Sequence, residues 1–162
     1  MATKSNKFRK IVEVEITAEV KFVGVVRAAI HEAIKIAGVP DEQVDSMVLA
    51  LDEAVCNVIT HGYGGACGKP IIVRLAKLRT KDNTVSGLEL TVRDFGKQID
   101  PTKIKGRDLE DVRPGGLGVH IIRSVMDEVE YSCPLDGGMQ LRMVKYFDTA
   151  KKSGKPAKTE HK

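Results

Sequence analysis

The run from position 41 to 65 constrains this chain most. Val44, Met47, Val48, Leu51, Val55, Val58 and Ile59 recur at helical spacing and form one apolar stripe. Asp41 and Glu42 put negative charge at the start, where a helix dipole favours it. The segment HGYGG, with glycines at 62, 64 and 65, ends the pattern. A helix with one apolar face must lie against a second layer, and the neighbouring periodicities say what that layer is.

Residues 10–17, KIVEVEIT, alternate apolar and charged side chains, as a half-buried strand does. Phe22, Val26, Ile30, Ala33 and Ala37 predict an amphipathic helix over 19–37, stopped by Gly38-Val39-Pro40. Residues 70–78 and 87–93 are β-rich and separated by the turn-like KDNTVS. A helix follows over 117–126, then strands over 128–133 and 139–147 joined by PLDGG. The order β-α-α-β-β-α-β-β is no alternating βαβ series. It predicts an α+β two-layer sandwich: a mixed, mostly antiparallel sheet covered on one face by helices. Trp is absent and aromatics make up only 4%, so the core must be aliphatic.

Residues 97–114 fit no period. They are charged and carry Pro101, Gly106 and Pro114, and such a segment inside a domain is either functional or disordered. The expected organisation is a basic arm over 1–9, one domain over 10–147 and a disordered tail over 148–162.

Charge follows this division. Residues 1–10 contribute +4 and residues 148–162 contribute +3, so 11–147 carry −3 of the total of +4. A basic nucleic-acid face on the folded body is not supported. No apolar run reaches a membrane span and no secretory leader is visible, so a cytoplasmic protein is expected. Cys56, Cys67 and Cys133 are odd in number and form no CxxC pair, which suggests neither a disulfide framework nor a zinc site. A Walker A loop fails at Tyr63 and Pro70, and a Rossmann fingerprint fails at Ile121.

Three short motifs remain. Glu53 and Asn57 stand four residues apart, on one side of the second helix and roughly opposite its apolar stripe. Ser46, Ala50 and Ala54 flank them and would let a ligand approach; on spacing alone, a solvated face fits as well. Asp94-Phe95-Gly96 follows a strand and reads either as a turn or as a close-approach site. Gly115-Gly116-Leu117-Gly118-Val119 opens a helix, where backbone N–H groups can hold phosphate; a flexible connection is the alternative. His61, His120 and Cys56 read as packing residues.

In this order, the three motifs resemble the nucleotide-binding boxes of the GHKL ATPase superfamily, in particular the small anti-sigma-factor serine kinases of the RsbW/SpoIIAB type. The resemblance covers roughly residues 8–147. It implies that Asn57 ligates a Mg²⁺ bridging the phosphates of ATP and that Glu53 is the general base. A carboxylate one turn from the metal ligand suits proton acceptance, and Mg²⁺ takes few protein oxygens when phosphate and water supply the rest. It implies that Asp94 accepts a hydrogen bond from the adenine amino group beside Gly96 and Lys97. Gly115, Gly116, Leu117, Gly118 and Val119 would hold the polyphosphate with Arg113, and 97–114 would be the ATP lid. One departure stands out: the family usually places Thr after the glycines of the last hairpin, and here Met139 follows Gly137-Gly138.

Two functions are expected from this. One is a Mg²⁺-ATP-dependent serine-protein kinase that phosphorylates a STAS-domain anti-sigma antagonist, also binds a sigma factor and works as a homodimer. The other is a nucleotide-gated binding module of the same fold with little or no phosphoryl transfer. Glu53 argues for the first and Met139 for the second.

Overall fold

The computed structural model describes residues 7–80, 83–104 and 117–147. Arg113, Gly115 and Gly116, most of the expected lid and the expected tail lie outside the described residues. Strand β1 (Lys7–Thr17) leads through a 3-10 turn (Val20–Phe22) into helix α1 (Val23–Ile36). Helix α2 (Asp41–Asn57) follows, then strands β2 (Pro70–Arg79) and β3 (Val85–Arg93). Helix α3 (Leu117–Val125) and strands β4 (Glu128–Ser132) and β5 (Gln140–Tyr146) complete the fold. The sheet order is β1-β2-β3-β5-β4, and every pairing among these strands is antiparallel.

The helices cover one face, as expected of an α+β sandwich. Ile71, Val73 and Leu75 of β2, Leu88, Leu90 and Val92 of β3 and Leu141 and Met143 of β5 share one core with Ile30, Ile34, Met47, Leu51 and Val55 of the helices. Full burial of each such side chain contributes about 1.5–3 kcal/mol relative to exposure. The opposite face is held by charge pairs instead, such as Arg74 with Glu13 and Arg142 with Glu89 and Glu128.

β1 starts at Lys7, three residues before the expected strand, so residues 7–9 belong to the sheet and not to a free arm. The register shifts between Lys10 and Val12, which makes Ile11 an extra residue. Because side chains alternate across a strand, this bulge turns Phe8 to the open face while Val12, Val14 and Ile16 face the helices. Phe8 lies opposite the buried Leu78, and the Arg142 guanidinium sits 5.6 Å from its ring centroid. The basic residues around Phe8 hide this strand from an alternation pattern.

Ala50 and Ala54 are buried, at 0% and 2% exposure, and α3 packs against α2. That packing carries the start of α3 to the side of α2 that bears Glu53 and Asn57. Of the small residues expected to admit a ligand, Ala54 lines the cavity described below and Ala50 does not.

Candidate functional site

α2 does not stop at its last regular residue. It continues as a π turn (Val58–Gly62), with the Tyr63 N–H donating to Val58 O at 2.8 Å. Such wide turns gather at functional sites because they re-aim side chains. Here the turn carries His61 and Gly62 toward the end of β3. A β-carbon on Gly62 would stand 3.7 Å from Asp94 Oδ2. Gly96 is closed more tightly: a β-carbon there would collide with the Gly62 carbonyl and stand 3.2 Å from Asp94 Oδ1. Only glycine permits that approach.

Asp94 is 4% exposed. Its Oδ1 accepts the Gly96 N–H at 2.8 Å and the Met139 N–H at 3.3 Å. Among the described residues nothing donates to Oδ2. A buried carboxylate with one oxygen fixed by two backbone donors has its second oxygen ready for an incoming donor.

Tyr63 holds the same turn from the other side. Its hydroxyl donates to Pro70 O at 2.6 Å and accepts the Phe95 N–H at 2.8 Å. Burial pushes the Tyr63 phenol pKa up, so the hydroxyl keeps the proton it donates.

Asp94 lines a cavity of about 370 Å³, whose apolar wall is formed by Val92, Ile99, Tyr131, Met139 and Leu141. Met139, the departure noted in the sequence, is 7% exposed and faces this wall. Its sulfur accepts the Ile99 N–H at 3.5 Å, so a thioether stands where the resemblance leads one to expect a hydroxyl. The bond to Asp94 comes from its backbone and survives the change of side chain.

The lining also has polar members: Asn57, His61, Lys97 and Lys103 belong to it, together with Gly118 and Val119. Gly118 is buried against α2: a β-carbon on it would stand 2.6 Å from Glu53 Oε2 and 3.0 Å from Asn57 Nδ2. Glu53 does not line the cavity. It is half-buried beside the first turn of α3, one helical turn from Asn57.

Of the residues singled out from the sequence, Asn57, Asp94, Lys97, Gly118 and Val119 meet at the cavity, with Gly96 bonded to Asp94. Leu117 is 53% exposed and outside the lining. His61 stands in the turn that ends α2, as a helix-end residue should, and also lines the cavity; its place four residues after Asn57 is the signal for that second position. Lys103, Tyr63 and the Met139 backbone were not anticipated. The first part of the expected lid is anchored: Gln98 Nε2 donates to Pro134 O at 2.7 Å, and Arg123 Nη2 donates to Ile104 O at 3.1 Å.

The donor set suits a nucleotide. An apolar wall, a carboxylate oxygen without a donor and two lysines line one cavity. Among the described residues no group of three or more His, Cys, Asp or Glu could hold a metal ion. Among them also, no helix is long and apolar enough to cross a membrane.

The family model described as Histidine kinase-like ATPase domain matches residues 16–145. The chain is 28% identical to the Serine-protein kinase RsbW of Bacillus pumilus, over 88% of this chain and 90% of the relative. It is also 28% identical to the protein of the same name from Halalkalibacterium halodurans, over 84% and 83% of the two. Two solved structures share the fold. One is the SiaB–SiaC complex from Pseudomonas aeruginosa, with a TM-score of 0.62 at 14% identity, covering 85% of this chain and 90% of that one. The other holds the RsbU and RsbW domains of a Mycobacterium tuberculosis protein, with a TM-score of 0.54 at 17% identity. The match there covers 84% of this chain but only 32% of the longer one.

Proposed function

Because the chain belongs to the histidine kinase-like ATPase domain family, we propose that it is an ATP-dependent serine-protein kinase and anti-sigma factor. It phosphorylates a serine of a STAS-domain antagonist and regulates a sigma factor by exchanging one partner for the other. The relatives named as serine-protein kinases support the reaction class. One observation in this chain carries the reading: Gly118 is seated against Glu53 and Asn57, which brings an acid and an amide together at a helix start whose Gly118 lines the cavity with Asn57.

The geometry supports the following roles. Asp94 Oδ2 accepts the adenine amino group, and the apolar wall takes the ring. Lys97 and Lys103 of the lining serve the phosphates; the same role is proposed for Arg113, Gly115 and Gly116 from the sequence alone. Asn57 would hold Mg²⁺ through its amide oxygen, and the ion would supply neutralisation of phosphate charge there. Glu53 takes the proton of the partner serine as its oxygen bonds to the terminal phosphorus and the bond to ADP breaks. Catalysis of this kind depends mainly on positioning and electrostatics, which is what the packing of α3 on α2 provides.

The same reading makes the chain a cytoplasmic homodimer that holds the sigma factor until an unphosphorylated antagonist displaces it. Light scattering of the purified chain tests the dimer. Incubation with a candidate antagonist and radiolabelled ATP tests the kinase: label on an antagonist serine supports it. ATP binding without transfer to any antagonist of the same genome contradicts it.

A further inference from the structure

Arg93 immediately precedes Asp94, yet its side chain turns away from the cavity and is only 11% exposed. Nη1 donates to Asp94 O and, at 3.2 Å, to Met139 O. Nη2 donates to Asp136 Oδ1 at 2.8 Å and to Gly137 O. The guanidinium carbon sits 4.4 Å from the centroid of the Phe95 ring. One side chain thus ties the end of β3 to the turn before β5, across more than forty residues of sequence.

The turn is shaped to receive it. Gly137 and Gly138 have φ of +93° and +66°, a region that glycine enters without strain. A β-carbon on Gly138 would stand 2.7 Å from Arg93 Nη1 and collide with the Asp94 carbonyl. Strand pairing alone does not require this arrangement, since Arg93 and Gln140 are already register partners in the sheet. A buried guanidinium is costly unless its donors are met, and here backbone carbonyls meet most of them.

These carbonyls belong to the residues that orient the carboxylate. Met139 O accepts both Arg93 Nη1 and the Asp94 N–H, the latter at 3.0 Å. The N–H of the same Met139 donates to Asp94 Oδ1. We propose that Arg93 is the positioning residue of the adenine-selecting carboxylate: it latches the last hairpin so that the Met139 N–H holds Oδ1 and leaves Oδ2 to the base. This rests on the nucleotide reading above and adds a specificity-determining residue to it. Arg93 touches no ligand and acts through Met139 and Asp94.

The test compares ATP with purine riboside triphosphate, which lacks only the amino group, by calorimetry in the presence of Mg²⁺. A hydrogen bond to a charged group makes the wild-type ratio about 10- to 100-fold in favour of ATP. In Arg93→Met the ratio falls about tenfold through weaker ATP binding, while affinity for the analogue stays within about twofold. Arg93→Lys, which keeps a donor at the hairpin, recovers part of the ratio. Equal weakening of both nucleotides marks a merely structural residue and overturns the inference, as does an unchanged ratio. Asp136→Asn covers the case of an unfolded Arg93→Met, because Asp136 is 71% exposed and outside the cavity. There a ratio lowered about two- to threefold supports the latch and an unchanged ratio overturns it. If the wild-type chain itself fails to distinguish the two nucleotides, the adenine assignment of Asp94 falls, and the latch falls with it.

Discussion

Gly118 and Glu53 are in contact across two helices: a β-carbon on Gly118 would stand 2.6 Å from Glu53 Oε2. The same added carbon would stand 3.0 Å from Asn57 Nδ2, so one methyl group would displace both polar side chains. Gly118→Ala is therefore expected to lower phosphoryl transfer by about 10²-fold, the usual consequence of an ångström of misplacement. Its cost in stability should stay at about 1–3 kcal/mol. Steady-state kinetics beside urea denaturation separates the two effects. Unchanged kinetics would show that Glu53 and Asn57 need no fixed position.

Asp94→Ala removes the acceptor of two backbone donors as well as the ligand contact. It should weaken ATP binding at least about tenfold and cost roughly 1–3 kcal/mol of stability through the donors left unmet. Asn57→Ala should instead remove the dependence of ATP binding on Mg²⁺ with little change in stability. Calorimetry with and without Mg²⁺ checks both. Full ATP affinity in either variant would reassign that residue.

Local spacing makes part of this site legible before any folding is considered. Asn57 follows Glu53 by one helical turn, and Asp94-Phe95-Gly96 ends an alternating strand; Asn57 and Asp94 then line one cavity. The π turn is not legible, because Gly62 at its end meets Asp94 and Gly96 only once the chain has folded. Arg93 reads as one more charge in a strand, since its hydrogen-bond partners other than the adjacent Asp94 lie 43 to 46 residues away. The start of β1 is hidden for a similar reason. Phe8 becomes a strand residue only when Leu78 and Arg142 are brought to it.

Tyr63→Phe leaves the Phe95 N–H without its acceptor and Pro70 O without its donor. The expected loss is about 1–3 kcal/mol, read from the urea midpoint at constant slope. Hydrogen exchange at Phe95 should quicken in the variant. A shift of the midpoint with no change at Phe95 would place the effect elsewhere.

The open face of the sheet predicts a pH dependence. The Tyr146 hydroxyl donates to Glu128 Oε1, and Arg142 donates to Glu128 Oε2 at 2.8 Å. The Tyr146 bond, and then the Arg142 bond, hold Glu128 below its ordinary pKa of 4.5; the Glu128 bond, and then burial, raise Tyr146 above its ordinary 10.0. Glu128 therefore stabilises the fold above pH 4.5, and this is lost as pH falls through its lower folded value. Tyr146 stabilises the fold below pH 10.0, and this is lost as pH rises through its higher folded value. Both groups are largely solvated, so Tyr146→Phe should remove no more than about 1 kcal/mol, and only between those limits. Thermal melts of the two proteins at pH 3, 7 and 11 check this. A difference that persists undiminished at pH 3 and 11 would assign the effect to packing.

Glu53 bears on the central claim most directly, because its proposed role lies in the transition state and not in holding ATP. Glu53→Gln keeps the shape and removes the basicity. The decisive measurement is single-turnover transfer of the terminal phosphoryl group to the antagonist serine, with ATP affinity measured on the same samples. The account predicts ATP affinity within about threefold of wild type and transfer slower by about 10²–10⁴-fold. Transfer at the wild-type rate with ATP fully bound would contradict it.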